Sequence, residues 1–526
     1  MRVRMHARAP IGRAPLLALV PEAVGLAALG ALQTLAFVHA ALWPLPLLAA
    51  AVLAWRLDAA PGARRAAALA WCYGFAWLAS GTWWLFVSMH RYGHLPAWLA
   101  ALAVALLAAL LSLYLALAGA AYRRWRRGGA VDPALFAAVW LLAELARGVL
   151  FTGFPWVASG YSQVEGPLAA LAPWIGVYGI GAVLAALAAG LARAVTARGG
   201  RRAAMLAVVV LPLLALAFAG PGEYTRAGRT LTVQLLQPNV PQDQKFDGER
   251  LAANLQWLAG RFVASTADLV VAPETAVPML PRQLETYAPG LWDELQRRFA
   301  QGRQTALVGV PLGEHGQGYT NSAVGFSAAA AALPGGKYRY DKHHLVPFGE
   351  FVPMGFRWFT EMMRIPLGDF ERGGVAQPSL ALAGERAAPN ICYEDLFGEE
   401  LARRFADPAA APTLFVNLSN IAWFGDTIAV PQHLAISRMR ALEFQLPMIR
   451  ATNTGATAVI DHRGRVGAQL PAFSEGVLEG SVQGRHGATP YARWGARAGL
   501  WPLLLVALAT VAVFTLRRRE SGRSGR

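Results

Sequence analysis

Apolar runs constrain this chain more than any other feature of it. They fall at 22–42, 44–56, 66–89, 95–122, 133–151, 168–193, 203–220 and 498–516, rich in Ala and Leu, and several are separated by short arginine clusters. A backbone in hydrocarbon must satisfy its own hydrogen bonds, and about 20 apolar residues of helix cross the bilayer core, so each run is a candidate transmembrane helix. The second, "PLPLLAAAVLAW", is short enough to be re-entrant by length alone.

Charge decides more than length. One set of connections carries Arg2, Arg4, Arg8 and Arg13, then Arg56, Arg64 and Arg65, then Arg123, Arg124, Arg126 and Arg127, then Arg193, Arg198, Arg201 and Arg202. The other set carries little more than Arg91, and the tail with Arg517, Arg518, Arg519, Arg523 and Arg526 joins the arginine side only if all eight runs cross. By the positive-inside rule both termini are expected to be cytoplasmic. The composition, 55% hydrophobic and 15% charged, fits such a protein, and the +16 net charge is explained by arginines flanking spans. Without one basic patch interleaved with aromatics, nucleic acid is not expected as a partner. The first run is followed by seven more and lacks a small-residue cleavage site, so it is expected to stay as an anchor.

After "GPGEYTRAGRT" the character changes, and 230–485 reads as globular. Short β-branched runs such as "LTVQLLQP", "ADLVVAPE", "QTALVGVP" and "PTLFVNLS" alternate with helical stretches such as "GERLAANLQWLAGRFV" and "QHLAISRMRALEFQ". That order predicts an α/β layered domain with helices outside sheets. Seven crossings from a cytoplasmic start put it on the far side, in a bacterium the oxidising periplasm. The predicted division is 1–228 for the first seven spans, 229–487 for the outer domain and 488–526 for the last helix and basic tail. Gly176, Gly179 and Gly181 lie inside a span with no preceding strand, so they read as helix packing and not as a nucleotide loop.

Only two cysteines occur, and they are expected at different depths. Cys72 lies roughly 9 Å into the hydrocarbon from the cytoplasmic side, whereas Cys392 belongs to the outer domain. A free thiol in an oxidising compartment is a candidate nucleophile. Its neighbours look wrong for that: Glu394, Asp395, Glu399 and Glu400 follow closely, and negative charge suppresses a thiolate. Two other stretches supply what it lacks. "LVVAPETAVP" ends an apolar strand at Glu274, a candidate general base, and "YDKHHLVPFGEFVP" holds Lys342, a candidate oxyanion stabiliser, with Glu350.

Taken together, the strand-end Glu274, Lys342 and Cys392 resemble the Glu-Lys-Cys triad of the nitrilase, or carbon-nitrogen hydrolase, superfamily. The longer strings "KHHLVPFGEFVP", "NICYEDLFGE" and "NLSNIAWFGD", followed by "QHLAISRMRALE", are similar to the apolipoprotein N-acyltransferase family, as are "LFTGFPW" and "SGYSQ" among the spans. The resemblance implies an α-β-β-α nitrilase-like sandwich on an eight-helix transmembrane bundle in the bacterial inner membrane. It implies a monomer that takes an acyl chain from a phospholipid and transfers it to the amine of a diacylglyceryl-cysteine apolipoprotein, through a thioacyl-cysteine and with no cofactor. Glu350, Tyr393 and Glu394 match supporting positions of the family. Phe246 stands where the family commonly has tryptophan, so any indole N–H bond is lost there. Phe351, Trp423 and Phe424 are candidate lipid contacts, alongside Phe246. His343 and His344 are adjacent, poor spacing for chelation, so no metal is expected. Glu144 and Arg147, spaced i,i+3, are expected to pair within the fifth span. The rival readings are a membrane-anchored amidase of the same superfamily and a transporter whose outer domain binds ligand.

Overall fold

The computed structural model describes residues 20–245, 247–314, 318–353, 355 and 370–523. Among the described residues, six helical segments are long and apolar enough to cross a membrane: Val20–Phe37, Ala40–Ala59, Ala97–Trp125, Asp132–Thr152, Pro167–Thr196 and Gly199–Ala219. A seventh is the bent pair Pro490–Ala498 and Trp501–Leu516, which turns by 86°. Seven of the eight expected spans thus pass by length and apolarity among the described residues. The second run, doubtful by length, gains a preceding turn and is long enough, whereas the expected span at 66–89 becomes the helix Ala63–Thr82, whose Trp, Tyr, Cys, Gly, Ser and Thr dilute its apolarity.

Polar contacts fix the ends of this bundle. Glu22, which opens the first helix, pairs with Arg56 and Arg65. Asp58 accepts from Tyr122 Oη at 2.7 Å and forms an ion pair with Arg126 Nε at the same distance, and Asp132 meets Arg193 Nη2 at 2.5 Å. Arg127 Nη2 donates to Val513 O at 2.7 Å, with the guanidinium over the Phe514 ring. The last helix therefore ends on the side where the arginine clusters gather.

The outer domain rests on the opposite end. Among the described residues, twelve strands form two six-stranded sheets. The first contains β1 (Thr225–Gln237), β2 (Leu269–Val271), β3 (Thr305–Glu314), β4 (Gly318–Phe326) and β5 (Tyr338–Asp341), with β12 (Gly476–Gly487) beside β1. The second runs β11 (Val466–Gln469), β10 (Ala458–Ile460), β9 (Met448–Thr452), β8 (Leu414–Ser419), β7 (Glu385–Ile391) and β6 (Leu380–Leu382). Each has a parallel trio, β1-β2-β3 or β7-β8-β9, flanked by antiparallel strands.

Leu231, Val233, Leu235 and Val271 of the first sheet pack on Ile391, Leu414, Val416 and Ile449 of the second, because alternate residues of each strand face inward. Helices Gly248–Ala264 and Leu291–Gln301 cover the first sheet with Leu255, Phe262 and Phe299. Ala429–Phe444 and Pro490–Ala498 cover the second with Phe444 and Tyr491. This is the α-β-β-α order expected.

Bundle and outer domain share one core, in which Leu396, Phe397 and Met439 join Trp77, Trp84 and Trp156. One helix of the bundle is broken to make the fit. Gly176 has φ +62°, and a Cβ there would lie 2.5 Å from the Tyr491 ring, so a side chain is excluded on both counts. Beyond the break, Glu443 of the outer domain accepts the Val177 N–H at 2.7 Å.

Candidate active site

Three strand ends converge between the sheets. Glu274 lies just after β2, Lys342 just after β5 and Cys392 just after β7, the carboxyl ends where α/β proteins commonly bind ligands. Glu274 is brought in tightly: a Cβ on Gly309 of β3 would come within 2.3 Å of the Pro273 carbonyl, so only glycine admits the turn.

Lys342 is 1% exposed, and its ammonium is 3.2 Å from Glu274 Oε1 and 2.9 Å from Glu350 Oε1. Asn321 of β4 donates to both of those oxygens at 2.7 Å. The remaining carboxylate oxygens accept backbone amides, Glu274 Oε2 from Asn420 and Glu350 Oε2 from Val346, each at 2.8 Å. Burial opposes ionisation of Glu274, but Lys342, Asn321, Lys245 and the Asn420 amide together outweigh it and hold the carboxyl below its ordinary value. Burial likewise opposes the Lys342 charge, and Glu274 and Glu350 overcome it, so the ammonium stays protonated.

Cys392 is half-buried and free, as is Cys72. It adopts φ +51°, a left-handed turn between the end of β7 and a short 3-10 helix. Burial first, then the charges of Glu274 and Glu350, push its thiol up to about 12, with Lys342 and Ser419 opposing. The acids that follow it in the chain are engaged elsewhere. Glu394 accepts from the amides of Ile391 at 2.6 Å, His343 at 2.6 Å and His344 at 3.2 Å, and from Tyr340 Oη. It thereby ties the lysine strand to the cysteine strand. Asp395 faces His433 and Arg450.

Tyr393 points the other way, to the Gly153 carbonyl of the bundle at 3.1 Å. Phe351 is half-buried under Arg372, Trp423 is 40% exposed beside Tyr92, and Phe424 packs its ring 4.3 Å from Trp84. Phe246 lies outside the described residues. His343 and His344 are turned to separate partners, the Gly373 carbonyl and Glu400. Glu144 and Arg147 stand 3.7 Å apart, both buried.

Sequence reasoning assigned no part to Asn321, because its reach to both carboxylates depends on strand pairing. It also left Lys245 without a role. That buried ammonium hydrogen-bonds Thr275 Oγ1, and burial draws it down to about 8 against the pull of Glu274 and Cys392.

A buried base, a protonated ammonium and a thiol within their electrostatic reach can carry out acyl transfer through a covalent intermediate. Comparison with known proteins agrees in kind. Residues 29–190 match the model of the apolipoprotein N-acyltransferase N-terminal domain, and 232–491 match that of carbon-nitrogen hydrolases. A relative from Verminephrobacter eiseniae is 54% identical over 487 residues, covering 87% of this chain and 89% of its own. Relatives from Ralstonia nicotianae and Bordetella bronchiseptica are 45% and 44% identical, covering 94% and 93% of this chain and 93% and 96% of theirs. All three are described as apolipoprotein N-acyltransferases.

Proposed function

The chain belongs to the apolipoprotein N-acyltransferase family, and from that premise we propose the mechanism by which its residues act. It is a multi-pass membrane acyltransferase that N-acylates apolipoproteins. Glu274 takes the Cys392 proton as the sulfur attacks the ester carbonyl of a membrane phospholipid. Lys342 stabilises the oxyanion, and its collapse expels the lysophospholipid alkoxide, which takes the proton back from Glu274. The amine of the diacylglyceryl-cysteine acceptor then attacks the thioester. Glu274 accepts the amine proton and returns it to the departing thiolate.

The observation that carries this reading is the Lys342 ammonium shared between Glu274 and Glu350, with the Cys392 thiol, on a left-handed backbone, inside their electrostatic field. A thiol held near 12 is inert until a lipid ester and the base are both in position, which limits side reactions in an oxidising compartment. Glu350 and Glu394 orient the lysine, and Glu394 and Tyr393 hold the cysteine turn. The exposed Trp423, with Phe351, Phe424 and Phe246, is proposed to face lipid.

We further propose that all eight runs cross the bacterial inner membrane, with both termini cytoplasmic and 229–487 periplasmic between the regions 1–228 and 488–526. The gathering of Arg126, Arg127 and Arg193 with the end of the last helix supports that orientation.

Incubation of purified protein with radiolabelled phospholipid tests the covalent step. Wild type should acquire hydroxylamine-labile label and release lysophospholipid before acceptor is added, and Cys392→Ala should acquire none. Acylation of acceptor by a wild type that never labels would rule out the thioester.

A further inference from the structure

The left-handed turn at Cys392 disfavours a side chain, and such a conformation persists only where neighbours over-determine it. Here they hold the Cys392 carbonyl. It accepts from Asn417 Nδ2 at 3.2 Å and faces His433 Nε2 at 3.3 Å. Asn417 belongs to the adjacent strand β8, so the sheet accounts for it. His433 comes from the helix Ala429–Phe444, and acyl transfer as written makes no use of it.

Its surroundings fix the tautomer. Arg450 Nη2, which can only donate, lies 3.2 Å from His433 Nδ1, so Nδ1 accepts and Nε2 carries the proton. That N–H points between the Cys392 carbonyl and Asp395 Oδ1, the latter at 3.0 Å. Asp395 is held in turn by Arg450 at 3.3 Å and by the Ser437 hydroxyl. All four side chains are buried.

The imidazole also meets the membrane part. The Trp156 ring, in the connection after the helix Asp132–Val149, lies 5.7 Å from it. Next to His433, Gln432 Oε1 accepts from the indoles of Trp156 at 2.7 Å and Trp84 at 3.0 Å, and its amide donates to the Gly81 carbonyl at 3.0 Å. One outer-domain side chain thus holds two membrane segments, and the next residue in the helix holds the nucleophile's backbone.

We infer that His433 is a positioning residue for Cys392, and that Gln432 and His433 form the joint through which the membrane helices set the aim of the thiol. The inference rests on Cys392 being the nucleophile. Misplacing a reacting atom by about 1 Å costs on the order of 100-fold in rate.

The test is the rate of thioacyl formation per folded molecule, with folded fraction taken from thermal unfolding, together with the kcat and KM for phospholipid. His433→Leu is expected to lower the labelling rate about 100-fold with KM within about twofold. His433→Gln, whose amide nitrogen can reach the Nε2 position, should recover at least about tenfold of that loss. Gln432→Met should slow labelling about tenfold by loosening the joint. Labelling of His433→Leu within about threefold of wild type overturns the positioning role, as does equal slowing in the Leu and Gln variants. If His433→Leu does not fold, unchanged labelling in Gln432→Met overturns the joint. Wild type that never labels defeats the nucleophile reading and this inference with it, whereas wild type and His433→Leu that label equally fast defeat this inference alone.

Discussion

Two buried charge clusters lie at opposite ends of the molecule, and they are balanced differently. At the arginine-rich end, Asp58 and Asp132 are each met by arginine, with Tyr122 and the amides of Arg127 and Gly128 filling the remaining positions. At the outer end, the Lys342 ammonium is shared by two carboxylates, with the Lys245 ammonium and a thiol inside the same field. The first cluster is closed by its partners and locks helices together. In the second, Lys342, Asn321, Lys245 and the Asn420 amide keep Glu274 ionised beside a thiol that keeps its proton, so a base stands charged next to its proton source until substrate arrives. A buried pair is weak evidence for stability either way; an ionised base beside a protonated thiol marks the end where chemistry occurs.

The largest effects should come from the outer cluster. Cys392→Ala should lower acyl transfer by about 10⁴-fold or more, measured as acceptor acylation at saturating lipid. Lys342→Met leaves Glu274 and Glu350 facing each other, so it should cost about 10³-fold in rate and roughly 3–5 kcal/mol in stability, read by thermal unfolding beside the activity. A Lys342→Met protein with near-normal turnover would mean that the shared ammonium is structural, like its counterpart across the bundle.

Glu274→Gln separates field from chemistry, because its two effects have opposite signs. Without a base, acyl transfer should fall about 10³-fold. Yet the Glu274 charge helps push the Cys392 thiol up, so its removal should ease ionisation and speed alkylation by iodoacetamide at pH 8 about tenfold. In wild type, the raised thiol keeps its proton to higher pH than free cysteine. Alkylation should therefore climb about tenfold per pH unit from roughly pH 7 to 10 without levelling. A plateau near pH 8 would show an ordinary thiol and remove the asymmetry between the clusters.

The outer cluster was largely legible in sequence, since Glu274, Lys342 and Cys392 could be read as candidate base, cation and nucleophile, while Glu350 and Glu394 entered through the family resemblance. The orientation of the acids was not. Adjacent Glu394, Asp395, Glu399 and Glu400 were expected to suppress the thiolate, but a left-handed turn sends Glu394 onto backbone amides and Asp395 onto His433. Burial, Glu274 and Glu350 raise the thiol instead. Asn321, His433 and Gln432 were hidden because their contacts depend on sheet register and on how the helix Ala429–Phe444 docks on the bundle. Span counting was least direct at Ala63–Thr82, where polar and small residues dilute the apolarity of a helix that packs within the bundle.

Breaking the closed cluster should leave chemistry intact. Asp132→Asn removes the charge that meets Arg193 and, having one acceptor oxygen, keeps only one of the amide bonds from Arg127 and Gly128, so a loss of about 3–5 kcal/mol in stability is expected, with activity per folded molecule unchanged. Loss of turnover in the folded fraction would mean that the two ends are energetically coupled. The smallest effect belongs to the contact between the regions. Tyr393→Phe deletes one hydrogen bond, to the Gly153 carbonyl, and retains the ring packed against Phe397. It should lower thioacyl formation no more than about tenfold, since a single neutral hydrogen bond contributes about 0.5–1.5 kcal/mol. A larger loss, with the alkylation profile of Cys392 unaltered, would move Tyr393 from holding the turn to touching the lipid.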